Sequence, residues 1–119
     1  MLDAVVQFVT AMLNRSALIV RPRQPYLDWA ASLDDSGLVP DVAGEHTVYL
    51  APGFEDDDEA AKVLRNVYAE IFERELSAWH TDEGGWPPNR TLAMFGKWFD
   101  VEMHSVVEDL CGHELFDDG

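Results

Sequence analysis

The stretch that decides the fold is Asp57–Trp79, which reads DDEAAKVLRNVYAEIFERELSAW. Its apolar residues recur every three or four positions, and this spacing predicts one long amphipathic helix. The preceding Asp56, with Glu59 three residues on, is typical of a helix start that is capped by acidic side chains. A helix with so wide an apolar face needs a sheet or further helices to cover it. The residues of this face are Ala60, Val63, Leu64, Val67, Tyr68, Ile71, Phe72, Leu76 and Trp79.

Two segments before this helix are predicted to be strands. Ser16–Arg21 (SALIVR) and His46–Ala51 (HTVYLA) are short, rich in branched or aromatic residues, and followed directly by a proline. The residues between them predict a helix that begins near Pro25, since proline fits the first helical turn. The apolar residues with helical spacing in that segment are Tyr26, Trp29, Ala30 and Leu33.

The chain after the long helix contains one clear element and one ambiguous element. Thr91 is predicted to cap a short helix that runs from Leu92 to Trp98. The residues that follow fit either a continuation of this helix or a strand, because apolar and polar residues alternate from Phe99 to His104. We favour a strand over Phe99–Asp109, since two short strands alone would form only a marginal sheet.

Together these elements predict an α+β fold with a small three-stranded sheet and helices packed mainly on one face. The predicted order is α-β-α-β-α-α-β, in a single domain that spans residues 1–119. The first helix, over residues 1–13, is interpreted as an amphipathic extension, and Met12 offers an alternative start. Residues 112–119 are predicted to form a loose acidic tail.

Charge and cysteine content limit the possible functions. The chain has 23 acidic and 8 basic residues, a net charge of −15, which argues against binding to nucleic acid or to an anionic membrane. The apolar N-terminus lacks the basic start of a signal peptide and is too short to span a membrane. The single cysteine, Cys111, excludes an intramolecular disulfide, so we expect a free thiol and a cytoplasmic location. No cofactor or bound metal is predicted.

The first candidate site is Asp100, Glu102 and His104. On a strand these side chains share one face, with about 6.6 Å between successive members. A carboxylate beside an imidazole is a useful acid–base pair, and Glu102 with His104 offers two ligands to a metal ion. The simpler interpretation is a solvated face of an antiparallel sheet, where alternating polar residues are required.

The second candidate site is the irregular loop from His80 to Arg90. Its Trp86, Asn89 and Arg90 combine an aromatic ring, an amide and a guanidinium group, which suits the binding of a carboxylate or phosphate. The structural alternative is that Trp86 closes one end of the core while Arg90 pairs with a nearby acid. The acids considered for that pairing are Asp82, Glu83 and Asp100.

No motif for a catalytic nucleophile, a phosphate-binding loop or a calcium loop stands out in the sequence. The favoured interpretation is therefore a binding or regulatory module without catalytic activity, which forms a homodimer through the uncovered side of its sheet. We expect Thr47 and Tyr49 to join the polar residues of the last strand on that side.

Two other functions are kept as alternatives. One is a metal-dependent or acid–base enzyme that uses Asp100, Glu102 and His104. The other is an acidic mimic of nucleic acid that binds a basic protein. Many acids and few lysines are also typical of proteins adapted to high salt, so the acidity alone selects none of these functions.

Overall fold

A computed structural model describes residues 11–41, 43–44 and 46–117 of the chain. Regular structure in these residues alternates between short strands and helices of very different length. In chain order the elements are β1 (Ala11–Met12), β2 (Arg15–Pro22), α1 (Gln24–Ser32), β3 (Thr47–Pro52), α2 (Asp57–Trp79), a 3-10 turn (Glu83–Gly85), α3 (Leu92–Trp98), β4 (Phe99–His104) and β5 (Glu108–Asp109).

The two helices after β3 begin and end where the sequence predicts. The helix α2 starts at its predicted cap, since the Asp56 side chain accepts a hydrogen bond from the Glu59 backbone amide at 2.8 Å. At α3, the Thr91 hydroxyl accepts from the Met94 amide at 3.1 Å. These caps satisfy backbone amides that the first helical turn leaves without a partner.

The three longer strands form an antiparallel sheet in the order β3-β2-β4, which confirms the predicted α+β fold. Strand β2 lies in the centre and hydrogen-bonds to both neighbours. Leu18 lies opposite Tyr49 on β3 and opposite Met103 on β4. Because paired residues share a face of the sheet, this register fixes which side chains meet the helices.

One face of the sheet packs against the helices and forms the core. Leu18 and Val20 of β2 are fully buried, and so is Phe72 in the middle of α2. The ring of Phe72 lies 5.4 Å from that of Phe99 and 5.7 Å from that of Phe95, centroid to centroid. The aromatic cluster therefore joins α2, α3 and the start of β4 into one hydrophobic core.

We call the opposite face of the sheet the outer face. Val48 and Leu50 on it are 56% and 50% exposed, so none of the described helices covers this side. The helices instead pack mainly on the core face, as predicted. By register, the residues of the outer face are Arg15, Ala17, Ile19, Arg21, Val48, Leu50, Asp100, Glu102 and His104.

The strand predicted over Phe99–Asp109 is shorter than expected. It leaves the three-stranded sheet after His104, and Glu108–Asp109 then pairs with Ala11–Met12 in a separate antiparallel ladder. The Leu13 amide donates to the Val107 carbonyl at 2.7 Å between the two ladders. Strand β4 thus pairs with β2, and β5 pairs with β1. The break between the two ladders lies at residues 105–107.

The two chain ends differ in how far the structure tests them. Most of the helix predicted over residues 1–13 lies outside the described residues, but Ala11–Met12 belongs to β1 and not to a helix. Pairing with Glu108–Asp109 overrides the helical propensity of these two residues. Residues 112–117 of the tail form no helix or strand, as predicted for that part.

In the described part of the chain, no helix has both the length and the apolarity to cross a membrane.

Candidate functional site

The polar residues predicted on the last strand do share the outer face, next to two arginines of the neighbouring segment. Asp100 lies 3.7 Å from Arg21 and 3.5 Å from Arg23, measured from carboxylate oxygen to guanidinium nitrogen. Glu102 lies 3.4 Å from Arg21. These side chains remain between about a third and a half exposed, so each ion pair contributes little to stability.

Glu102 and His104 form the closest polar pair of this cluster. The His104 Nε2 lies 2.5 Å from the Glu102 Oε2. This hydrogen bond is the main reason that the pKa of Glu102 is lowered, with a smaller contribution from Arg21. Glu102 therefore stays ionised to a lower pH than an ordinary glutamate.

The same cluster lacks the enclosure that catalysis by an acid–base pair usually needs. Side-chain exposure is 45% for Glu102 and 51% for His104. Across the described residues there is no group of three or more His, Cys, Asp or Glu side chains placed to hold a metal ion. What the geometry offers is a charged strip on an open sheet, and the enzyme interpretation stays a prediction.

The second group of predicted residues lies at the helical side of the molecule, away from this strip. Trp86 packs against the core, and its indole donates to the His80 carbonyl at 2.8 Å. Arg90 donates to the Pro87 carbonyl at 2.9 Å and lies 5.6 Å from the Trp86 ring. Asn89 has a positive φ of 56°, a conformation that asparagine tolerates well.

Arg90 also forms an ion pair, but not with an expected partner. Its guanidinium lies 3.4 Å from Glu73 on α2 rather than next to Asp82, Glu83 or Asp100. The reason is that the loop folds back along the C-terminal half of α2, where Glu73 is the acid within reach. Arg90 is therefore occupied by its own chain, and the structure does not bring it together with Asp100, Glu102 or His104.

The outer face also carries an apolar half that the sequence reasoning missed. Val48 and Leu50 on β3 lie opposite Ile19 and Ala17 on β2, and these four form a continuous apolar strip beside the charged one. The expectation that Thr47 and Tyr49 lie on this face is wrong. Tyr49 pairs with Leu18, whose side chain is fully buried, and Thr47 shares the same side. Alternation within β3 allowed either choice, and only its register with β2 decides.

Another group that was not predicted surrounds Glu75, a buried acid on α2. Glu75 is only 8% exposed, and its Oε2 accepts a hydrogen bond from the Tyr49 hydroxyl at 2.6 Å. The Tyr26 hydroxyl donates to the Glu75 backbone carbonyl, also at 2.6 Å. Both tyrosines have a raised pKa, first because they are buried and then because Glu75 is negatively charged.

A cavity of about 170 Å³ opens beside Glu75, between the end of α2, strand β3 and the loop that precedes β3. We call it the Glu75 cavity. The described residues of its wall provide two carboxyl groups and the rings of Tyr26 and Trp79, and they include neither lysine nor arginine. The polar and aromatic residues of its wall are Tyr26, Asp41, His46, Thr47, Glu75 and Trp79.

A signal for Glu75 was present in the sequence. Glu75 lies four residues after Ile71 and three after Phe72, and four residues before Trp79, so it falls within the apolar face of the helix. An acid at such a position is rarely buried without a hydrogen-bonded partner. The partner itself, Tyr49, was not predictable, because it comes from a strand 26 residues away.

Comparisons with known proteins add no assignment to these features. Neither a family model, nor a curated protein, nor a solved structure matches this chain.

Proposed function

We propose that this protein is a homodimeric binding module in which two copies pack through the outer faces of their sheets. The observation that carries the proposal is the apolar strip on that face. Val48 and Leu50 are 56% and 50% exposed in the middle of a regular strand, although the opposite side of the same sheet is well packed. Exposed apolar side chains that are contiguous and rimmed by charge are typical of interaction surfaces.

The apolar strip supplies part of the energy that association needs. Full burial of a valine or leucine side chain is worth about 1.5–3 kcal/mol, so each half-exposed one contributes roughly half of that. In a symmetric dimer both copies contribute the same residues, which doubles the sum. Ile19 and Ala17, already partly buried, extend the contact surface rather than add a comparable gain.

Charge explains why a second copy would approach on this side. The protein has a net charge of −15, and most of its surface therefore repels another copy. The outer face differs, because Arg21 and Arg23 form ion pairs with Asp100 and Glu102 at its margin. Two of the 8 basic residues of the chain, Arg15 and Arg21, thus lie on the outer face together with the apolar strip.

Two antiparallel sheets that pack face to face form a β-sandwich with the strands about 30° apart. A twofold axis through the outer face would bring each apolar strip against its symmetry mate. The charged strips would then lie at the rim, where arginine of one copy can meet acid of the other. The helices remain on the outside of both copies.

The test is sedimentation velocity at micromolar concentration. We expect a dimer for the unmodified chain and a monomer for Val48→Asp and Leu50→Asp, because each change places a charge in the centre of the contact. Both positions face solvent in a single copy, so the variants should keep their fold, which circular dichroism checks.

The matched control is Leu38→Asp, which adds the same charge at a leucine that is 67% exposed in the loop before β3. This variant should remain dimeric. A monomeric unmodified chain would contradict the proposal. A dimer that survives both strand variants would equally overturn it, since the contact would then lie elsewhere.

A further inference from the structure

We infer that the Glu75 cavity is a binding site for a small organic cation, of the class of primary ammonium compounds. This inference does not depend on the dimer, because the cavity lies on the core side of the sheet. The cavity volume of about 170 Å³ corresponds to roughly six water molecules, which suits a compact amine rather than a nucleotide or peptide.

The charge of the cavity wall favours a positively charged ligand. Glu75 and Asp41 contribute carboxyl groups and His46 an imidazole, and among the described residues neither a lysine nor an arginine lines the cavity. The carboxylate of Glu75 is held in place by Tyr49, whose hydroxyl donates to Oε2 at 2.6 Å. A carboxylate that is fixed at the wall of a cavity can receive an N–H donor from a ligand with little rearrangement of the site.

The aromatic residues favour an organic cation over a metal ion. Tyr26, which is buried, and Trp79 at the end of α2, which is 37% exposed, both line the cavity. Aromatic faces attract weakly hydrated ammonium groups and also pack against the attached hydrocarbon. A metal ion would instead need several converging oxygen or nitrogen ligands, and the described residues contain no such group of three.

The position of the polar groups defines how the ligand would lie. We place the ammonium group at Glu75, deep in the cavity, and the hydrocarbon part between Trp79 and Pro22. Asp41 is exposed, and its side chain accepts from the Ala43 amide at 2.9 Å, so it contributes to the charge of the mouth. The Thr47 hydroxyl is on the same side of the strand as Tyr49 and can accept a further hydrogen bond.

The experiment uses three probes of similar size on the full chain: benzylammonium, benzyl alcohol and benzoate. Binding is followed by NMR through the indole N–H signals and by calorimetry. We expect benzylammonium to bind, benzyl alcohol to bind at least tenfold more weakly, and benzoate not to bind. The indole signal of Trp79 should shift, whereas that of Trp86, which is bonded to the His80 carbonyl, should not.

Two variants separate the charge from the shape of the cavity. Glu75→Gln keeps the volume and still accepts from Tyr49, so affinity for benzylammonium should fall on the order of tenfold. Glu70→Gln removes the same charge from an exposed position of the same helix and should leave affinity unchanged. If Glu75→Gln does not fold, Asp41→Asn at the exposed mouth replaces it, with a smaller loss expected.

Three results would overturn the inference. The first is equal affinity for benzylammonium and benzyl alcohol, which would leave no role for the carboxylate. The second is an equal loss in Glu75→Gln and Glu70→Gln, which would reflect net charge alone. The third is a shift of the Trp86 signal instead of the Trp79 signal, which would place the amine outside the cavity.

Discussion

Tyr49 and Glu75 meet across the core, and their contact links the sheet to the long helix. The hydroxyl lies 2.6 Å from the carboxylate, and the tyrosine has a raised pKa because it is buried beside a negative charge. A phenol with a raised pKa stays neutral in the folded protein at a pH where it would ionise in the unfolded chain. Its contribution to stability is therefore complete below the ordinary tyrosine value and is lost as pH rises through the folded pKa.

Changing this residue should make the effect measurable. Tyr49→Phe removes the donor and leaves the Glu75 carboxylate buried without it, which should lower the free energy of unfolding by about 1–3 kcal/mol at neutral pH. The unmodified chain should lose stability above the ordinary tyrosine pKa of 10.0, and the variant should lose less over the same range. Urea unfolding of the unmodified chain and of Tyr49→Phe, at neutral pH and above pH 10.0, measures both effects.

The control for this prediction is Tyr68→Phe, which also removes one hydroxyl and keeps the ring. Tyr68 is partly buried and packs on Phe95, with ring centroids 6.0 Å apart, away from Glu75. At neutral pH, Tyr68→Phe should lower the free energy of unfolding by less than Tyr49→Phe does. Equal losses would mean that the Tyr49 hydroxyl contributes nothing through Glu75.

The candidate residues show what local pattern can and cannot predict. Alternation along β4 was enough to place Asp100, Glu102 and His104 on one face, because the period of a strand is fixed at two residues. Their arginine partners were not predictable, since Arg21 and Glu102 are 81 residues apart in the chain. The Glu75 cavity was missed for the same reason, since its wall combines residues from three separated stretches of the chain.

At the scale of elements, α2 organises the fold, and Phe72 is its most connected ring. Phe72 is fully buried and contacts the rings of Phe95, Trp98 and Phe99 at centroid distances between 5.4 and 5.7 Å. Aromatic pairs of this kind add to the gain from burial. The helix is thereby fixed to α3 and β4 at one place.

Phe72→Ala should therefore lower the free energy of unfolding by about 3–5 kcal/mol, since it removes buried area and leaves a cavity. Guanidinium unfolding measures this loss. The matched control is Phe116→Ala in the tail, where the ring is 76% exposed and the change should stay within about 0.5 kcal/mol. Similar losses at the two positions would contradict the core described above.

Long elements with a clear periodicity were predicted well, and short elements were not. The boundaries of α2 and α3 follow from periodicity and caps, which are local properties. Strands β1 and β5 contain two residues each, so they carry no periodic signal and exist only because they pair with one another. The single strand predicted over Phe99–Asp109 joined β4 and β5 for this reason.

For the whole molecule, the charge of −15 sets how stability responds to salt. Exposed like charges repel, and the repulsion is larger in the compact state than in the unfolded chain. Salt at physiological ionic strength screens charges beyond about 8 Å. The melting temperature should therefore rise as sodium chloride increases from a few millimolar to about 0.15 M.

Thermal unfolding followed by circular dichroism checks this response. A variant with fewer exposed acids, such as Asp35→Asn combined with Glu114→Gln, should show a smaller rise. A melting temperature that falls with salt would mean that attractive pairs such as Arg21 with Glu102 outweigh the repulsion. At this scale the sequence predicted the charge and the fold class, but the strand order depends on contacts between distant segments.

The central position of β2 has a consequence for synthesis on the ribosome. Its partner β3 follows soon after it, but β4 is made last of the three, and Arg21 reaches Glu102 only across 81 residues. Closing so long a loop is slow, because much chain entropy is lost before any contact forms. One edge of β2 therefore stays open until β4 has emerged. A nascent chain that stalls before β4 would be a substrate for chaperones.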